Sequence, residues 1–400
     1  MDKTIVFWKK AQVFHPDFTN PKIEWENVFY EMIPKNSFIK VKPFKSYKPD
    51  SSEIHYIPVW IPSHDVIKNK KYFSHFKQTL KEIDKIAPKC RVLLNIWDEH
   101  VVSEDRFISG KHHTDPLWDI LQHYIRKRYN YYLLQNGITK LDNKKVLSID
   151  SFKLLLAGKN QNQETIDFRK TSSKFNVNKK YKMSCIFGRP RMDRVSIAAK
   201  LLEAGILHND DFYYTLFGTD RVFLKESGYY DIETHIKTNN WIMGTQGTKI
   251  VGMRPKQKFI NQLKFGQWCN DGSEWQIPPC IPESLFTILF ETHEHQYAFT
   301  EKMFKPIVSK VPFIWYSGKN TLERFEALGY KRHRFVHYYF DKLEPEIRLK
   351  GLYKEIYRLY HLPNLKELIL KDQDILDHNY NNFWNTIEND TERFYTTFRV

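Results

Sequence analysis

Residues 291–318, ETHEHQYAFTEKMFKPIVSKVPFIWYSG, decide how this chain reads. The apolar run before them, Leu285-Phe286-Thr287-Ile288-Leu289-Phe290, has the length and composition of a buried strand. A short polar loop follows. Thr300 then stands where a helix N-cap belongs, with Glu301 and Lys302 in the first turn. Beyond that helix, Val311-Pro312-Phe313-Ile314-Trp315 reads as another strand, and Gly318 ends it. A helix N-terminus just past the C-end of a strand offers free backbone N–H groups and the positive end of the helix dipole, both suited to phosphate. Lys302 adds a point charge, and a carboxylate such as Glu301 can accept from ribose hydroxyls.

The run Thr300-Glu301-Lys302-Met303-Phe304-Lys305-Pro306-Ile307, followed by Val311-Pro312-Phe313-Ile314, resembles the nucleotide-sugar motif of GT-B glycosyltransferases. It is most similar to the TEK-containing motif of alpha-1,3-fucosyltransferases, and closer still to phage-encoded glycosyltransferase-like proteins with a TEK-x-x-KP-x-x-x-x-x-PF pattern. The resemblance covers roughly the second half of the chain. It implies that Glu301 binds the ribose and Lys302 the diphosphate of a UDP- or GDP-linked sugar. The plainer alternative is a capped helix in an ordinary α/β domain, with Glu301 and Lys302 as surface residues.

The bulk properties leave room for that reading. Four hundred residues are too many for one small core, so two domains are the default. A hydrophobic content of 41% with 27% charged residues is globular rather than disordered. No apolar run approaches the ~18 residues that a membrane helix needs, so no membrane partner is expected. The N-terminus, Met1 to Lys10, has no signal-peptide core and reads as a first strand, which points to the cytoplasm, that of the host for a phage-encoded chain. Cys90, Cys185, Cys269 and Cys280 form no C-x-x-C pair and read as reduced core thiols. The net charge of +15 is more than a nucleotide-sugar site requires and points to a polyanionic partner.

In the first half, Thr4 to Trp8, Ile54 to Ile61, Arg91 to Trp97 and Lys145 to Asp150 read as strands. Pro58 puts the second of these near a sheet edge. The Lys- and Pro-rich stretch from Pro34 to Asp50 reads as loop. Tyr72 to Ile86 has helical apolar spacing, and Leu117 to Leu134 reads as a long amphipathic helix closed by Asn136-Gly137. Alternation of this kind predicts a parallel α/β sheet. Ligands in such sheets sit beyond strand C-ends, so Asp98 and Glu99, with His100, are candidates for the base that deprotonates an acceptor hydroxyl. A helix cap or solvated loop is the competing reading for each. Arg126, Lys127 and Arg128, interleaved with Tyr129, Tyr131 and Tyr132, could contact nucleic acid or simply form a solvated helix face. Lys111-His112-His113-Thr114-Asp115 lacks a third metal ligand at convincing spacing and reads as a polar loop.

The polar stretch from Gly158 to Lys180 is the best linker, so residues 1–160 form one Rossmann-like domain, 161–180 connect, 181–345 form the donor-binding Rossmann-like domain, and 346–400 are C-terminal helices packing back. In the second half, Tyr181 to Phe187 reads as a strand and Gly188-Arg189-Pro190-Arg191 as a tight turn. A helix follows to about Ala204, with Gly205 at its C-cap, and then a strand from Tyr213 to Phe217. This order also resembles the fucosyltransferase donor domain, and the resemblance implies a diphosphate-binding Arg. Arg189 is the first choice, with Arg191 and Arg194 behind it, since a guanidinium can hold two phosphate oxygens. A capping or interdomain role is the alternative for each.

No G-x-G-x-x-G or Walker A motif is present, which argues against NAD-dependent and P-loop readings. Asp372-Gln373-Asp374 falls in a helical region and reads as a chance D-x-D, and His293-Glu294-His295 as a loop lining the site. Glu291 and His295 are expected to shape the donor pocket. Thr321 to Leu328 is a helix ended by Gly329, Tyr330 to Phe335 a basic strand edge, and Glu346 to Leu359 and Asp372 to the end are helices.

The expectation is therefore a GT-B-like α/β chain, monomeric and independent of metal. It would move a sugar from a nucleotide diphosphate to a hydroxyl, with Arg189, Lys302 and Lys305 stabilising the leaving diphosphate. The charge and the phage-like resemblance favour double-stranded DNA carrying a hydroxymethylated pyrimidine as acceptor. A glycan or protein acceptor is the alternative within the class. A non-catalytic nucleic-acid-binding protein on a transferase-like fold is the alternative outside it.

Overall fold

The computed structural model describes residues 4–9, 39–43, 47, 48, 50–60, 80–85, 87–96, 131–136, 146–149, 175–188, 192–216, 277–291 and 299–399, with single residues at 74, 78 and 258. Two compact units divide the chain: Met1–Gly158 with Thr386–Val400, and Lys159–Asn385.

The first unit is built on six strands: β1 (Thr4–Lys9), β2 (Ile39–Pro43), β3 (Glu53–Trp60), β4 (Arg91–Ile96), β5 (Tyr131–Asn136) and β6 (Val146–Ile149). All pairings are parallel, in the order β2-β1-β3-β4-β5-β6. Apolar runs such as Ile5-Val6-Phe7-Trp8 and Val92-Leu93-Leu94 are fully or almost fully buried, as strands in the interior of a parallel sheet require. Phe394 and Phe398, far along the chain, pack on Phe7 and Tyr56.

Three expectations are corrected here. β3 is an interior strand, although Pro58 argued for an edge: its ladder with β1 ends at Tyr56, so Pro58 keeps only the β4 side, opposite Leu93. A strand, β2, occupies part of the stretch read as loop. It is an edge strand, and Lys40, Lys42 and Pro43 are residues that shield such an edge from further pairing. Tyr131 to Leu134 belongs to β5 rather than to a helix tail, because the Tyr-Tyr-Leu-Leu run pairs with Val92 to Asn95 and tertiary pairing overrides local spacing.

The second unit holds a four-stranded parallel sheet: β7 (Tyr181–Gly188), β8 (Phe212–Leu216), β9 (Ser284–Phe290) and β10 (Phe313–Tyr316), in the order β10-β9-β7-β8. Its helices among the described residues are α1 (Met192–Glu203), α2 (Glu301–Val308), α3 (Thr321–Ala327), α4 (Pro345–His361), α5 (Leu365–Lys371) and α6 (Gln373–Arg399). Every residue of β9 and β10 is buried. Gly205 takes φ +72° just past α1 and Gly329 φ +84° past α3, the left-handed turn that ends helices at glycine. α6 belongs to both units, since Asn385 closes the second and Thr386 reopens the first.

Tyr330 to Phe335 is not a strand edge. It is an irregular segment held by side chains of α6 and the residue before it. Asn379 Oδ1 accepts from Lys331 N at 2.7 Å, and Asp372 Oδ2 from Arg334 N at 2.8 Å. Asp372, half of the chance D-x-D, is thus an anchor for a loop. α5 and the short 3-10 turn Tyr338–Lys342 were not anticipated.

Candidate functional site

β7 leads through α1 to β8 on one side of the second sheet, and β9 leads through α2 to β10 on the other. The chain therefore leaves the adjacent strands β7 and β9 in opposite directions. Such a switch point, beyond the strand C-ends, is where open α/β sheets form a ligand crevice. The start of α2 lies at this point.

Glu291 is the first residue after β9. Its N–H donates to Tyr316 O at 3.0 Å, which extends the ladder to β10 by one step. Its side chain turns inward and is 3% exposed. Thr300 Oγ1 donates to Glu291 Oε2 at 2.5 Å, and Thr300 N to Oε1 at 3.3 Å. One carboxylate thus ties the end of β9 to the N-cap of α2. Thr300 has the extended backbone of an N-cap, φ −94° and ψ 178°. Its Oγ1 also accepts, at long range, from Lys302 N at 3.4 Å and Lys302 Nζ at 3.3 Å.

The first turn carries the charges. Lys302 Nζ lies 2.9 Å from Glu301 Oε1, with the lysine side chain 27% exposed and the glutamate 9%. Burial pushes the Glu291 carboxyl up to about 7, against the pull of the Lys302 charge and the Thr300 hydroxyl; Glu301 pushes in the same direction as burial. Near neutral pH, then, this group exchanges its proton in response to small changes in the charge around it. Pro306 lies inside α2 and has no N–H to offer the Lys302 carbonyl one turn back, so the first turn is held more by Thr300 and Glu291 than by the helix ladder. Lys305, in the last turn, is buried.

Arg194, on α1, is 3% exposed and donates from Nη2 to Phe290 O at 3.3 Å and Glu291 O at 3.1 Å. It braces the main chain at the end of β9 from beneath. Its Nη2 is thus turned to the main chain at the start of the loop after β9, whereas the sequence offered the residue as a phosphate ligand. Glu291, Thr300, Glu301, Lys302 and Arg194 are brought together. Arg189 and Arg191 lie outside the described residues, as do Asp98, Glu99, Arg126, Lys127, Arg128, His100, His293 and His295. β7 ends at Gly188, immediately before Arg189. In the first sheet the strand order reverses between β1 and β3, one strand away from β4, after which Asp98 and Glu99 follow.

One residue near the second sheet's C-end went unremarked in the sequence. Thr215, the next-to-last residue of β8, is buried, and its Oγ1 has no hydrogen-bond partner among the described residues. A hydroxyl within the apolar Phe212–Leu216 run was the available signal. Among the described residues, no group of three or more His, Cys, Asp or Glu is placed to hold a metal ion. No helix among them is long and apolar enough to cross a membrane.

No known protein family and no curated protein sequence matches the chain. Among solved structures, it is similar to one described as the crystal structure of alpha1,3-fucosyltransferase. The identity is 12% and the TM-score 0.46, over 100% of this chain and 90% of the other.

Proposed function

We propose that the second unit binds the diphosphate of a nucleotide sugar at the N-terminus of α2, and that the chain transfers the sugar to an acceptor hydroxyl. The observation that carries this reading is the position of the Thr300-Glu301-Lys302 turn at the switch point between β7 and β9, with a buried carboxyl behind it. Lys302 would turn from Glu301 to the phosphate oxygens, which leaves the Glu301 carboxylate to accept from the ribose. Arg189 and Arg191, which follow β7 in sequence, and Lys305 would add positive charge as the diphosphate departs. Thr300 and Glu291 hold the turn in place, and a proton on Glu291 would remove a negative charge from behind an incoming anion. Asp98 or Glu99 would supply the base toward the acceptor. The +15 charge favours a polyanionic acceptor, and a hydroxymethylated pyrimidine in DNA offers the required hydroxyl.

The test is a thermal-shift screen of the full chain against UDP, GDP, ADP and CDP. One diphosphate should raise Tm, by an amount corresponding to about 2.7 kcal/mol at a hundred times its Kd. Lys302→Ala should abolish that rise and all transfer while leaving the unliganded melt in place. A chain that ignores all four diphosphates is not a nucleotide-sugar transferase. Full activity in Lys302→Ala would remove this turn from the site.

A further inference from the structure

The donor-site reading leaves α4 unused, and its outer face is unusual. One side of this helix is core: Leu349, Leu352, Ile356 and Leu359 are completely buried. Tyr360 fixes that side further, donating to Asp211 Oδ1 at 2.6 Å and accepting from Asn209 Nδ2 at 2.8 Å. The opposite side carries Ile347, Lys350, Lys354, Tyr357 and His361, all exposed, at alternating spacings of three and four residues. They form one continuous stripe along 17 residues of helix.

The stripe combines two chemistries in register. Tyr353, Tyr357 and His361 succeed one another at four-residue steps, with ring centroids 6.3 Å and then 4.4 Å apart. Lys350 and Lys354 run alongside, and Arg358 follows on the same flank. Tyr357 is 44% exposed, and Tyr339, which donates to Gly351 O at 3.2 Å, borders the stripe at 52%. The carboxylates nearby whose side chains are described are otherwise engaged. Glu355 points inward to Arg358 and the His337 main chain, Glu203 pairs with Lys200 at 2.6 Å, and Glu344 pairs with Lys319 at 2.5 Å. A soluble helix face commonly alternates acids and bases; from Ile347 to His361 the described outer side chains of this one are cations and open aromatic rings.

We infer that the outer face of α4 is a binding surface for single-stranded nucleic acid, with Lys350 and Lys354 on the phosphates and Tyr357 stacked against a base. Two features favour this occupant over an anionic membrane. The aromatic rings form a ladder along the helix rather than a single apolar wedge, and the lysines are interleaved with it at the same spacing. Bases stack on such rings whatever their sequence, while the lysines track the backbone. The chain's excess of 15 positive charges supplies the long-range attraction. The surface shares no residue with the turn at α2, so it stands whether or not that turn binds a diphosphate.

The experiment is fluorescence anisotropy of a labelled 20-mer of thymidylate with the full chain at several salt concentrations. Three variants are compared: Tyr357→Ala, the double Lys350→Glu/Lys354→Glu, and a charge-matched control double on α5, Lys366→Glu/Lys371→Glu. Circular dichroism confirms that each is folded. The α4 double should weaken binding at least tenfold more than the control. It should also flatten the slope of log K against log salt by about 1.4, since each phosphate contact on a single strand contributes about 0.7. Tyr357→Ala should weaken binding about tenfold with little change of slope. Equal losses in the two doubles would show that net charge alone is responsible and would overturn the inference. So would the absence of oligonucleotide binding by the wild type, or binding to vesicles rich in phosphatidylserine in its place.

Discussion

Glu291 and Glu355 are both almost fully buried carboxylates of the second unit, and they are compensated in opposite ways. Glu355, in α4, accepts from His337 N at 2.7 Å and from Arg358 Nε at 2.9 Å and Nη2 at 2.5 Å. Asp372, ahead of α6, likewise accepts from the main chain and side chain of Arg334. Each has a fixed cation in contact. Among the described residues, Glu291, at the end of β9, is hydrogen-bonded to the hydroxyl and amide of Thr300, and the ammonium that influences it is bonded to Glu301. Glu355 and Asp372 are completed by arginines that the fold brings to them. Glu291, at the sheet's C-end, has a hydroxyl and an amide for partners in place of a guanidinium, and burial raises its proton affinity.

The largest expected effect tests the completed kind. Glu355→Ala leaves Arg358 Nε and the His337 N–H without their acceptor, with Phe335 O as the guanidinium's remaining partner, and chemical denaturation should show a loss of about 3–5 kcal/mol. Diphosphate-induced stabilisation should be unaffected. A loss below ~1 kcal/mol would mean that water replaces the carboxylate there and that the contrast with Glu291 is false.

Next is Glu291→Gln, which keeps the shape and loses the titration. The folded carboxyl binds its proton up to about pH 7 and the unfolded one only to about 4.5, so the folded state holds more protons between those values. Wild-type stability from this group is full below pH 4.5 and is lost as pH rises through 7. The variant should match the wild type at pH 4 and exceed it by about 3 kcal/mol at pH 8, in paired urea titrations. A difference independent of pH would show that Glu291 does not titrate in this range.

Thr300→Val removes the N-cap and the donor to Glu291 together. It should cost about 1–2 kcal/mol and weaken diphosphate binding, while Thr300→Ser should restore both. The smallest effect belongs to an exposed pair. Lys319→Ala breaks a 2.5 Å contact with Glu344 in which both side chains are largely in solvent, and its melt should shift by less than the equivalent of ~0.5 kcal/mol.

Much of the second sheet was legible because its signals are local. Thr300 caps where a Thr before Glu-Lys should, and the continuous apolar runs of β9 and β10 can only be buried strands. β2 was missed because an edge strand is protected by the same lysines and proline that make it look like a loop. β5 was misread because a short Tyr-Leu run fits a helix end as well as a strand until its partner, β4, is known. Glu291 could be named from its position after β9. Its high proton affinity could not, since desolvation depends on what the folded chain packs around the group. Arg194 illustrates the same limit: its type suits a phosphate, but where it points is decided by the packing of α1.

The path of α6 has a consequence for how the protein is made. The first unit's aromatic core needs Phe394 and Phe398, whose rings pack on Phe7 and Tyr56, and the Tyr56 hydroxyl donates to Phe398 O at 2.8 Å. Those residues leave the ribosome nearly four hundred positions after β1. The unit whose strands emerge first cannot be the first to finish folding, although domains usually complete in the order they emerge. The second unit, Lys159–Asn385, is continuous and has everything it needs by the time Asn385 appears. During translation the first sheet must wait for the C-terminal turns of α6 to complete its aromatic core.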